Sequence, residues 1–395
     1  MIIKKPPMGL NTWNTFGAEI NEKLIMELAD KMVEDGYKDA GYEYLVIDDC
    51  WSEKQRDENG RLVPDHEKFP NGMKCVSDYV HSKGLKFGMY SCSGVRTCAG
   101  YPGSYQHEYV DAETFAQWGV DFLKYDFCYF PDNADTKTAY LTMSNALKTC
   151  GRDILFSACN WGYEDSWEWM RQIGVHMYRT TADIFDNFKS FKNIAESQFN
   201  HIGTSSYGCF NDIDMLTVGM YGKGNVGYGE SCTDEDYRTH FSLWCMLGAP
   251  LMIGGDIRKM NDFCKNLLKN EELIKINQDN EARPPYIISK NNVHIMLKFL
   301  ENDEYAMGVF NMGESNDEFK QADNLIELGF PVSSTILFSD FGFPATCGKV
   351  FEFTDIFTGQ TITTKGDSLS VETNPHECKI YKLKVKKGLI SLFLL

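Results

Sequence analysis

The sequence predicts an α/β fold, a (β/α)8 TIM barrel over residues 1–282 followed by a C-terminal antiparallel β-sandwich domain over residues 283–395. Up to about residue 280, short apolar runs alternate with longer amphipathic stretches, which is typical of βα units around a parallel sheet. The segment 281–285, with two prolines, then interrupts this pattern. A chain of 395 residues also exceeds the size at which one core usually stops growing, which favours two domains.

The first domain contains enough predicted strands to close a barrel. Its apolar runs lie at residues 44–47, 86–90, 122–125, 154–158 and 251–253, with weaker ones at 8–13, 175–179 and 207–212. Helix-like stretches alternate with them, at residues 22–35, 72–83, 112–118, 136–150 and 235–247. Eight strands with intervening helices over this length favour a (β/α)8 barrel over an open doubly wound sheet.

The second domain reads as a series of short strands separated by turns. The predicted strands are residues 293–299, 305–310, 335–338, 349–353, 360–364, 368–371 and 379–385. Their spacing is typical of an antiparallel β-sandwich. The tail 386–395 ends in an apolar edge, which is a candidate contact surface for a homo-oligomer.

Composition and charge exclude several classes of partner. There are 39 Lys and Arg against 56 Asp and Glu, a net charge of −17, which repels nucleic-acid phosphates and anionic lipid. We therefore expect no nucleic-acid and no membrane partner. The N-terminal residues lack the pattern of a signal peptide, the 13 cysteines are scattered without a CxxC pair, and no Asn-x-Ser/Thr occurs. These features predict a cytoplasmic location and no structural zinc.

Acidic residues follow nearly every predicted barrel strand. They are Asp48, Asp49, Asp126, Asp183, Asp212, Asp214 and Asp256. A single one would be explained as a helix N-cap. Because the carboxyl ends of barrel strands meet at one face, where such barrels carry their active sites, the whole set predicts a catalytic centre there.

Lys124 and Asp126 lie two residues apart on one predicted strand, so both side chains point to the same face. A neighbouring cation keeps Asp126 ionised, as a nucleophile must be, although a buried structural ion pair is the alternative. Aromatic residues flank the acids, which suits a ligand with an apolar face, such as a sugar. They are Trp13, Trp51, Tyr90, Tyr129, Trp161 and Tyr178. Phosphate-binding GxxxxGK[ST], HExxH and GxSxG motifs are absent, and 222–227 matches GxGxxG only weakly.

Longer motifs are spread over residues 8–279. They include MGLNTWNTFG (8–17), GYEYLVIDDCW (41–51), HSKGLKFGMY (81–90), WGVDFLKYD (118–126), NDIDML (211–216), DEDYRTHFSLW (234–244) and INQD (276–279). In these motifs the sequence resembles glycoside hydrolase family 27, the α-galactosidase and α-N-acetylgalactosaminidase family. The resemblance implies a retaining exo-hydrolase that works by double displacement through a covalent glycosyl-aspartate, with no metal and no cofactor. Asp126 matches the nucleophile and Asp183 the acid/base.

This mechanism sets expectations for the two carboxyl groups. Retention requires them to lie about 5 to 5.5 Å apart. It also requires unequal environments, with Asp126 ionised beside Lys124 and Asp183 able to hold a proton in the free enzyme.

The resemblance also implies roles in sugar binding. Asp48 and Asp49 match the acid pair that binds the C4 and C6 hydroxyls, and Lys124 matches the contact to the C3 hydroxyl. The remaining matches are Trp13 (pocket wall), Tyr90 (beside the nucleophile), Arg179 and the segment Cys159, Asn160 and Trp161 (C2 side), Asp214 (supporting), and Cys98 with Cys128 (a disulfide beside the site).

Departures from the family pattern leave the C2 specificity open. Asn160 stands where α-galactosidases commonly carry Glu, and Phe127 where Asn or Gly is usual. We expect an α-galactosidase acting on a galactose-containing oligosaccharide or glycoconjugate. The alternatives are an α-N-acetylgalactosaminidase or β-L-arabinopyranosidase on the same scaffold, a Schiff-base lyase using Lys124, a non-catalytic galactose-binding protein and a metal-assisted hydrolase.

Overall fold

A computed structural model describes residues 2–228, 231–313, 331–344 and 347–387. The chain forms two compact units. The first comprises Met1–Cys232 and Ala249–Lys269, and the second comprises Thr233–Gly248 and Asn270–Leu395. The sequence instead places the domain boundary at residue 282, which stays a prediction. Among the described residues, no helix has the length and apolar character needed to cross a bilayer.

Eight parallel strands form the sheet of the first unit, in the spatial order β7-β6-β5-β4-β3-β2-β1-β8. They are β1 Met8–Asn11, β2 Tyr44–Val46, β3 Lys86–Cys92, β4 Phe122–Asp126, β5 Leu155–Ala158, β6 Met177–Arg179, β7 Phe210–Asp212 and β8 Leu251–Ile253. Just beyond β7, the Leu216 amide donates to the Met252 carbonyl at 2.8 Å, and the Gly254 amide donates to Leu216 at 2.8 Å. These bonds close the ring, and the predicted (β/α)8 fold class is confirmed.

The helices of the first unit are α1 Trp13–Phe16, α2 Glu22–Glu34, α3 Gly72–Ser82, α4 Glu108–Trp118, α5 Thr136–Thr149, α6 Phe188–Ser197 and α8 Asp262–Leu268. α4 begins four residues before the predicted start. Its first turn buries Asp111, which accepts two hydrogen bonds from Arg56 at 2.6 and 2.7 Å. A polar residue on the buried face conceals this turn from an apolar periodicity search.

The barrel interior explains how the site is presented. Val46 of β2, Phe122 of β4 and Leu155 of β5 pack together inside the ring. Since side chains alternate along a strand, Lys124 and Asp126 point to the same side as Phe122. They come last on β4, so they project above the packed layer at the carboxyl ends of the strands.

The second unit contains two antiparallel sheets with an apolar core. A six-stranded sheet has the order β14-β13-β16-β11-β10-β9, and β12 pairs with β15. The strands are β9 Tyr286–Lys290, β10 Val293–Phe299, β11 Tyr305–Asn311, β12 Val332–Leu337, β13 Lys349–Asp355, β14 Thr361–Thr364, β15 Ser368–Thr373 and β16 Cys378–Lys387. The predicted sandwich is confirmed. Most of the apolar tail, residues 388–395, lies outside the described residues, and the homo-oligomer stays a prediction.

Two helices, α7 Asp234–Leu247 and α9 Glu271–Asn277, belong to the second unit. In α7, Thr239 donates through its hydroxyl to the His376 carbonyl at 2.6 Å, and the His376 ring contacts Asp236 at 2.7 Å. Lys382 of β16 forms an ion pair with Glu272 of α9 at 2.5 Å. These bonds group both helices with the sandwich.

Candidate active site

A cavity of about 310 Å³ opens at the carboxyl ends of the barrel strands. Most of the predicted site residues line it, namely Trp13, Asp48, Asp49, Tyr90, Cys98, Lys124, Asp126, Trp161, Arg179, Asp183 and Asp214. A larger cavity, of about 750 Å³, lies among residues that precede β5, β6 and β7, including Lys148 and His176. None of the predicted catalytic acids reaches that larger cavity, so the smaller one is the candidate active site.

Asp126 ends β4 and is 6% exposed. Its Oδ2 accepts a hydrogen bond from the Tyr90 hydroxyl at 3.0 Å, and its Oδ1 accepts one from the Phe127 amide at 2.9 Å. Burial raises the pKa of Asp126 to about 6, although Lys124 and the Phe127 amide act to lower it. At neutral pH the carboxylate is therefore mostly ionised and held by two donors.

Lys124 forms its ion pair with Asp48 rather than with Asp126. Its Nζ donates to Asp48 Oδ2 at 2.8 Å, and Asn11 donates to the same oxygen at 2.7 Å. Burial acts to lower the pKa of Lys124, but Asp48, Cys159 and Asp126 together outweigh burial, and the pKa lies above its usual value. The predicted stabilisation of ionised Asp126 by Lys124 thus acts at a distance, through the field of the ammonium group.

Asp49 is held by the backbone around it. Its Oδ1 accepts from the Cys50 amide at 2.7 Å, and its Oδ2 accepts from the Ala99 amide at 2.9 Å. Burial raises the pKa of Asp49, and these amides act to lower it. Each carboxylate oxygen has further lone pairs, so Asp49 is able to accept hydrogen bonds from ligand hydroxyls.

Arg179, the last residue of β6, lies between Asp183 and Asp214. Its Nη2 donates to Asp183 Oδ1 at 2.8 Å, and its Nη1 lies 3.1 Å from Asp214 Oδ1. The side chains of Arg179 and Asp214 are buried, whereas that of Asp183 is 64% exposed. Asp183 is therefore the one carboxylate of this group with room to move.

The pKa values of the two proposed catalytic acids are the reverse of those expected from the mechanism. Burial acts to raise the pKa of Asp183, but Arg179 outweighs it, and the pKa lies below the usual value. The pKa of Asp126 is instead raised, to about 6. These pKa directions run against the expectation that Asp183 holds the proton in the free enzyme, because that expectation did not include the ion pair with Arg179; it stays a prediction.

Two predicted binding residues do not reach the cavity. Cys159 and Asn160 are buried behind it, with exposed fractions of 1% and 0%. Asn160 donates to the Tyr163 carbonyl at 2.9 Å, and the Cys159 sulfur lies 3.9 Å from Arg179 Nη1. The chain then turns at Trp161, whose φ of 57° is in the left-handed region, and this turn brings the Trp161 ring to the cavity while Asn160 stays inside.

The disulfide between Cys98 and Cys128 is present, with Cα atoms 5.1 Å apart. The Tyr90 hydroxyl lies 3.4 Å from Cys98 Sγ as well as 3.0 Å from Asp126. The disulfide therefore adjoins the donor that holds Asp126. Since both sulfurs are in the bond, neither is available as a metal ligand beside Asp126. The cytoplasmic location predicted from the sequence stays a prediction.

Other strand-end acids have structural contacts. Asp212 Oδ1 accepts from the Asp214 amide at 2.9 Å, and Asp256 accepts from Arg258 Nε at 2.9 Å. Conversely, sequence reasoning missed four residues that line the cavity, namely Asn14, Phe185, Asn225 and Tyr228. The position of Phe185, two residues after Asp183, was the one available signal.

This barrel and its site define a glycoside hydrolase, because paired carboxyl groups in a cavity bounded by aromatic and hydroxyl-binding side chains are what glycosidic cleavage uses. A family model described as alpha galactosidase A matches residues 6–279. A second, the alpha galactosidase C-terminal beta sandwich domain, matches residues 290–383. The chain therefore belongs to the α-galactosidase family, glycoside hydrolase family 27, as its motifs predicted.

Relatives match over nearly the full chain. The α-galactosidase of Cyamopsis tetragonoloba is 40% identical over 382 residues, which cover 96% of this chain and 86% of that protein. Alpha-galactosidase A of Cellvibrio japonicus is 38% identical, with 97% and 92% covered. Among solved structures, α-galactosidase I from Mortierella vinacea has a TM-score of 0.86 at 29% identity, with 97% of each chain covered.

Proposed function

We propose that this protein is a retaining α-galactosidase, which releases terminal α-linked galactose from oligosaccharides or glycoconjugates. The observation that supports this most directly is that Asp126 and Asp183 line one cavity together with Asp48, Asp49 and Lys124. A nucleophile, a proton donor and a set of hydroxyl-binding groups thus surround a volume of about 310 Å³.

In the first step, an oxygen of Asp126 attacks the anomeric carbon while Asp183 gives a proton to the leaving oxygen. The attacking carboxylate is ionised above its pKa of about 6. Tyr90 and the Phe127 amide hold its two oxygens and so fix its direction of attack. In the second step, Asp183 removes a proton from water, and the water oxygen displaces Asp126 from the sugar.

Asp183 must hold a proton before the first step, although its ion pair with Arg179 lowers its pKa. We infer that the bound sugar relieves this ion pair. A sugar hydroxyl that accepts a hydrogen bond from Arg179 competes with Asp183 for the guanidinium, and Asp214 remains as its buried partner. Asp183, with its exposed side chain, is then free to turn toward the leaving oxygen and to bind a proton.

Recognition of galactose rests on the acid pair. Asp48 already accepts from Lys124 and Asn11, and Asp49 from two backbone amides. Their remaining lone pairs accept sugar hydroxyls at C4 and C6. A glucoside would leave one of these buried carboxylates without its ligand donor, at a cost of about 1 to 3 kcal/mol or more for a charged group.

The test compares nitrophenyl glycosides of α-galactose, α-N-acetylgalactosamine and β-L-arabinopyranose. We expect the α-galactoside to have the highest kcat/KM. Negligible turnover of the α-galactoside by the wild-type protein would refute the proposal. Preference for either of the other two would favour the corresponding alternative.

The nucleophile is tested separately with a fluorinated galactosyl donor that hydrolyses slowly. We expect a covalent adduct on the peptide that contains Asp126, and none in Asp126→Ala. The Asp126→Ala variant should lose more than about 10⁴-fold in kcat on the nitrophenyl galactoside, because the attacking carboxylate is removed. An adduct on another residue would overturn the assignment.

A further inference from the structure

Two aromatic side chains at the cavity have no part in galactose binding or proton transfer as described above. They are Phe185 and Tyr228, which both line the cavity and are 39% and 74% exposed. Large rings usually pack into a core or an interface, because leaving their apolar surface in water costs free energy. Exposed rings at the edge of a polar cavity point to a ligand that covers them.

The backbone around Phe185 is fixed relative to the catalytic acids. Phe185 lies two residues after Asp183, and the intervening Ile184 amide donates to Asp214 Oδ2 at 2.7 Å. The Phe185 amide itself donates to the Ser190 hydroxyl at 2.9 Å. The ring is therefore held on a defined turn beside the acid/base.

Tyr228 joins Phe185 through contacts between their two loops. The ring centroids are 5.2 Å apart in an edge-to-face arrangement. The Asp186 amide donates to the Val226 carbonyl at 3.2 Å, and Asp186 Oδ2 accepts from the Gly222 amide at 2.7 Å. These bonds tie the segment after β6 to the segment that carries Tyr228, so the ring pair is part of the folded structure.

The chemistry places the leaving group beside this pair. An acid/base must come within about 2.6 to 3.2 Å of the oxygen that it protonates. That oxygen is the first atom of the leaving group. The rest of the leaving group therefore lies next to Asp183 and next to Phe185, which is on the same turn. This step rests on the proposed role of Asp183.

We propose that Phe185 and Tyr228 form a subsite for a neutral pyranose, the sugar ring joined to the departing galactose. A pyranose has an apolar face of C–H groups that packs on an aromatic ring, and its hydroxyls lie at the rim, where these half-exposed rings leave access to water. An anionic leaving group is disfavoured, since the cavity is lined by five aspartates against one lysine and one arginine.

The same subsite acts in the second half of the reaction. A sugar bound there presents a hydroxyl to the glycosyl-enzyme in place of water. Its oxygen forms the new bond to the anomeric carbon, the bond to Asp126 breaks, and the hydroxyl proton passes to Asp183. The product is a new glycoside, so the ratio of transfer to hydrolysis reports on occupancy of this subsite.

The experiment uses Phe185→Ala, Tyr228→Ala and the double variant. Tyr109→Ala is the matched control, because Tyr109 lies on α4, is 52% exposed and does not line the cavity. Three substrates are compared: methyl α-galactoside, whose leaving group is too small to cover the rings; a disaccharide of galactose α-linked to glucose; and nitrophenyl α-galactoside. Galactose release gives kcat/KM, and added glucose as acceptor gives the transfer ratio.

For the disaccharide we expect kcat/KM to fall about fivefold for each ring and by more than either single loss in the double variant, without strict additivity because the two rings contact each other. On methyl α-galactoside the change should stay within about twofold, and the transfer ratio should fall with the disaccharide activity. The control should match the wild type throughout. A structural defect would lower kcat/KM on all three substrates together and leave the transfer ratio unchanged.

Any of three results would overturn the proposed subsite. The first is a loss of kcat/KM on methyl α-galactoside equal to the loss on the disaccharide, and the second is an unchanged disaccharide activity in the double variant. The third is a loss of kcat/KM confined to the nitrophenyl substrate, which would indicate that the rings bind an aryl group instead of a sugar. The proposed function is judged independently, by release of galactose from methyl α-galactoside by the wild-type protein. If the wild type releases galactose and the variants do not differ from it, only the subsite fails.

Discussion

Replacing Tyr90 with phenylalanine removes one hydrogen bond from Asp126, the proposed nucleophile, and leaves the ring in place. The lost donor lies 3.0 Å from Asp126 Oδ2 in a site where both side chains are buried. A hydrogen bond to a charged group contributes about 1.5 to 3 kcal/mol, and one pKa unit corresponds to about 1.4 kcal/mol. Among the influences on the pKa of Asp126, burial, Lys124 and the Phe127 amide exceed Tyr90. We therefore expect loss of the Tyr90 hydroxyl to change the pKa of Asp126 by about one pKa unit, the lower end of this range.

The sign follows from which form the donor stabilises. The Tyr90 hydroxyl donates to the ionised carboxylate, so its loss disfavours ionisation and raises the pKa of Asp126. The wild-type acid limb of kcat/KM is expected near the Asp126 pKa of about 6. In Tyr90→Phe that limb should move to about pH 7, so that activity falls most near neutral pH and recovers toward the plateau above it.

The measurement is the pH profile of kcat/KM on nitrophenyl α-galactoside between about pH 4 and 9. Tyr125→Phe is the matched control. Tyr125 is a buried neighbour on β4, and its hydroxyl has no hydrogen-bond partner among the described residues. The acid limb of the pH profile of Tyr125→Phe should coincide with that of the wild type. An unmoved or lowered acid limb in Tyr90→Phe would refute the link between this hydroxyl and the charge of Asp126.

Three further outcomes follow from the site. Asp126→Asn should raise the thermal midpoint at pH 7.5. The reason is that a pKa raised from 3.8 to about 6 costs the folded state up to about 3 kcal/mol once the group ionises. The gain in thermal midpoint should be absent below about pH 4, and a gain that persists there would show that it does not come from the ionisation of Asp126. Asp183→Ala should lower kcat/KM by about 10² to 10⁴-fold for the disaccharide, but much less for nitrophenyl galactoside, whose leaving group needs little protonation; equal losses would argue against an acid role. Replacing both Cys98 and Cys128 with serine should lower the free energy of unfolding, measured under non-reducing conditions, by about 3 to 4 kcal/mol. The reason is that the disulfide closes a loop with a sequence separation of 30 and so restricts the unfolded chain. An unchanged free energy of unfolding would contradict this effect of the disulfide.

Much of the barrel was predictable because its signals are local. Apolar runs mark the strands, and the alternation along β4 correctly places Lys124 and Asp126 on one face. The three weakest strand predictions fall on β1, β6 and β7, which are only four, three and three residues long. Trp13 was included in the first of these runs, but it begins α1. β2 and β8 are also three residues long but are apolar throughout, whereas β6 ends in Arg179 and β7 is mostly polar, so a weaker apolar signal explains the weaker predictions.

The partner of Lys124 was not predictable, because it depends on strand register. Gly88 on β3 lies between Val46 on β2 and Phe122 on β4. A Cβ at Gly88 would lie 2.6 Å from Val46 Cγ2 and 3.1 Å from the Phe122 Cβ, so the missing side chain lets the two neighbours meet. Two residues further along these strands, the same proximity brings Lys124 to Asp48. Neither this register nor the use of glycine as a gap can be read from one sequence.

An excess of acid in a pocket for an uncharged sugar has a physical reason. In the proposed site, ground-state galactose would gain only hydrogen bonds from Asp48, Asp49 and Asp126, whereas the transition state of glycosidic cleavage carries positive charge near the anomeric carbon. Carboxylates fixed beforehand by buried donors interact more strongly with that charge than with the neutral substrate, and interactions of this kind raise kcat. Burial of Asp126 has a cost, seen in its raised pKa, and the same burial strengthens its attraction for the developing cation.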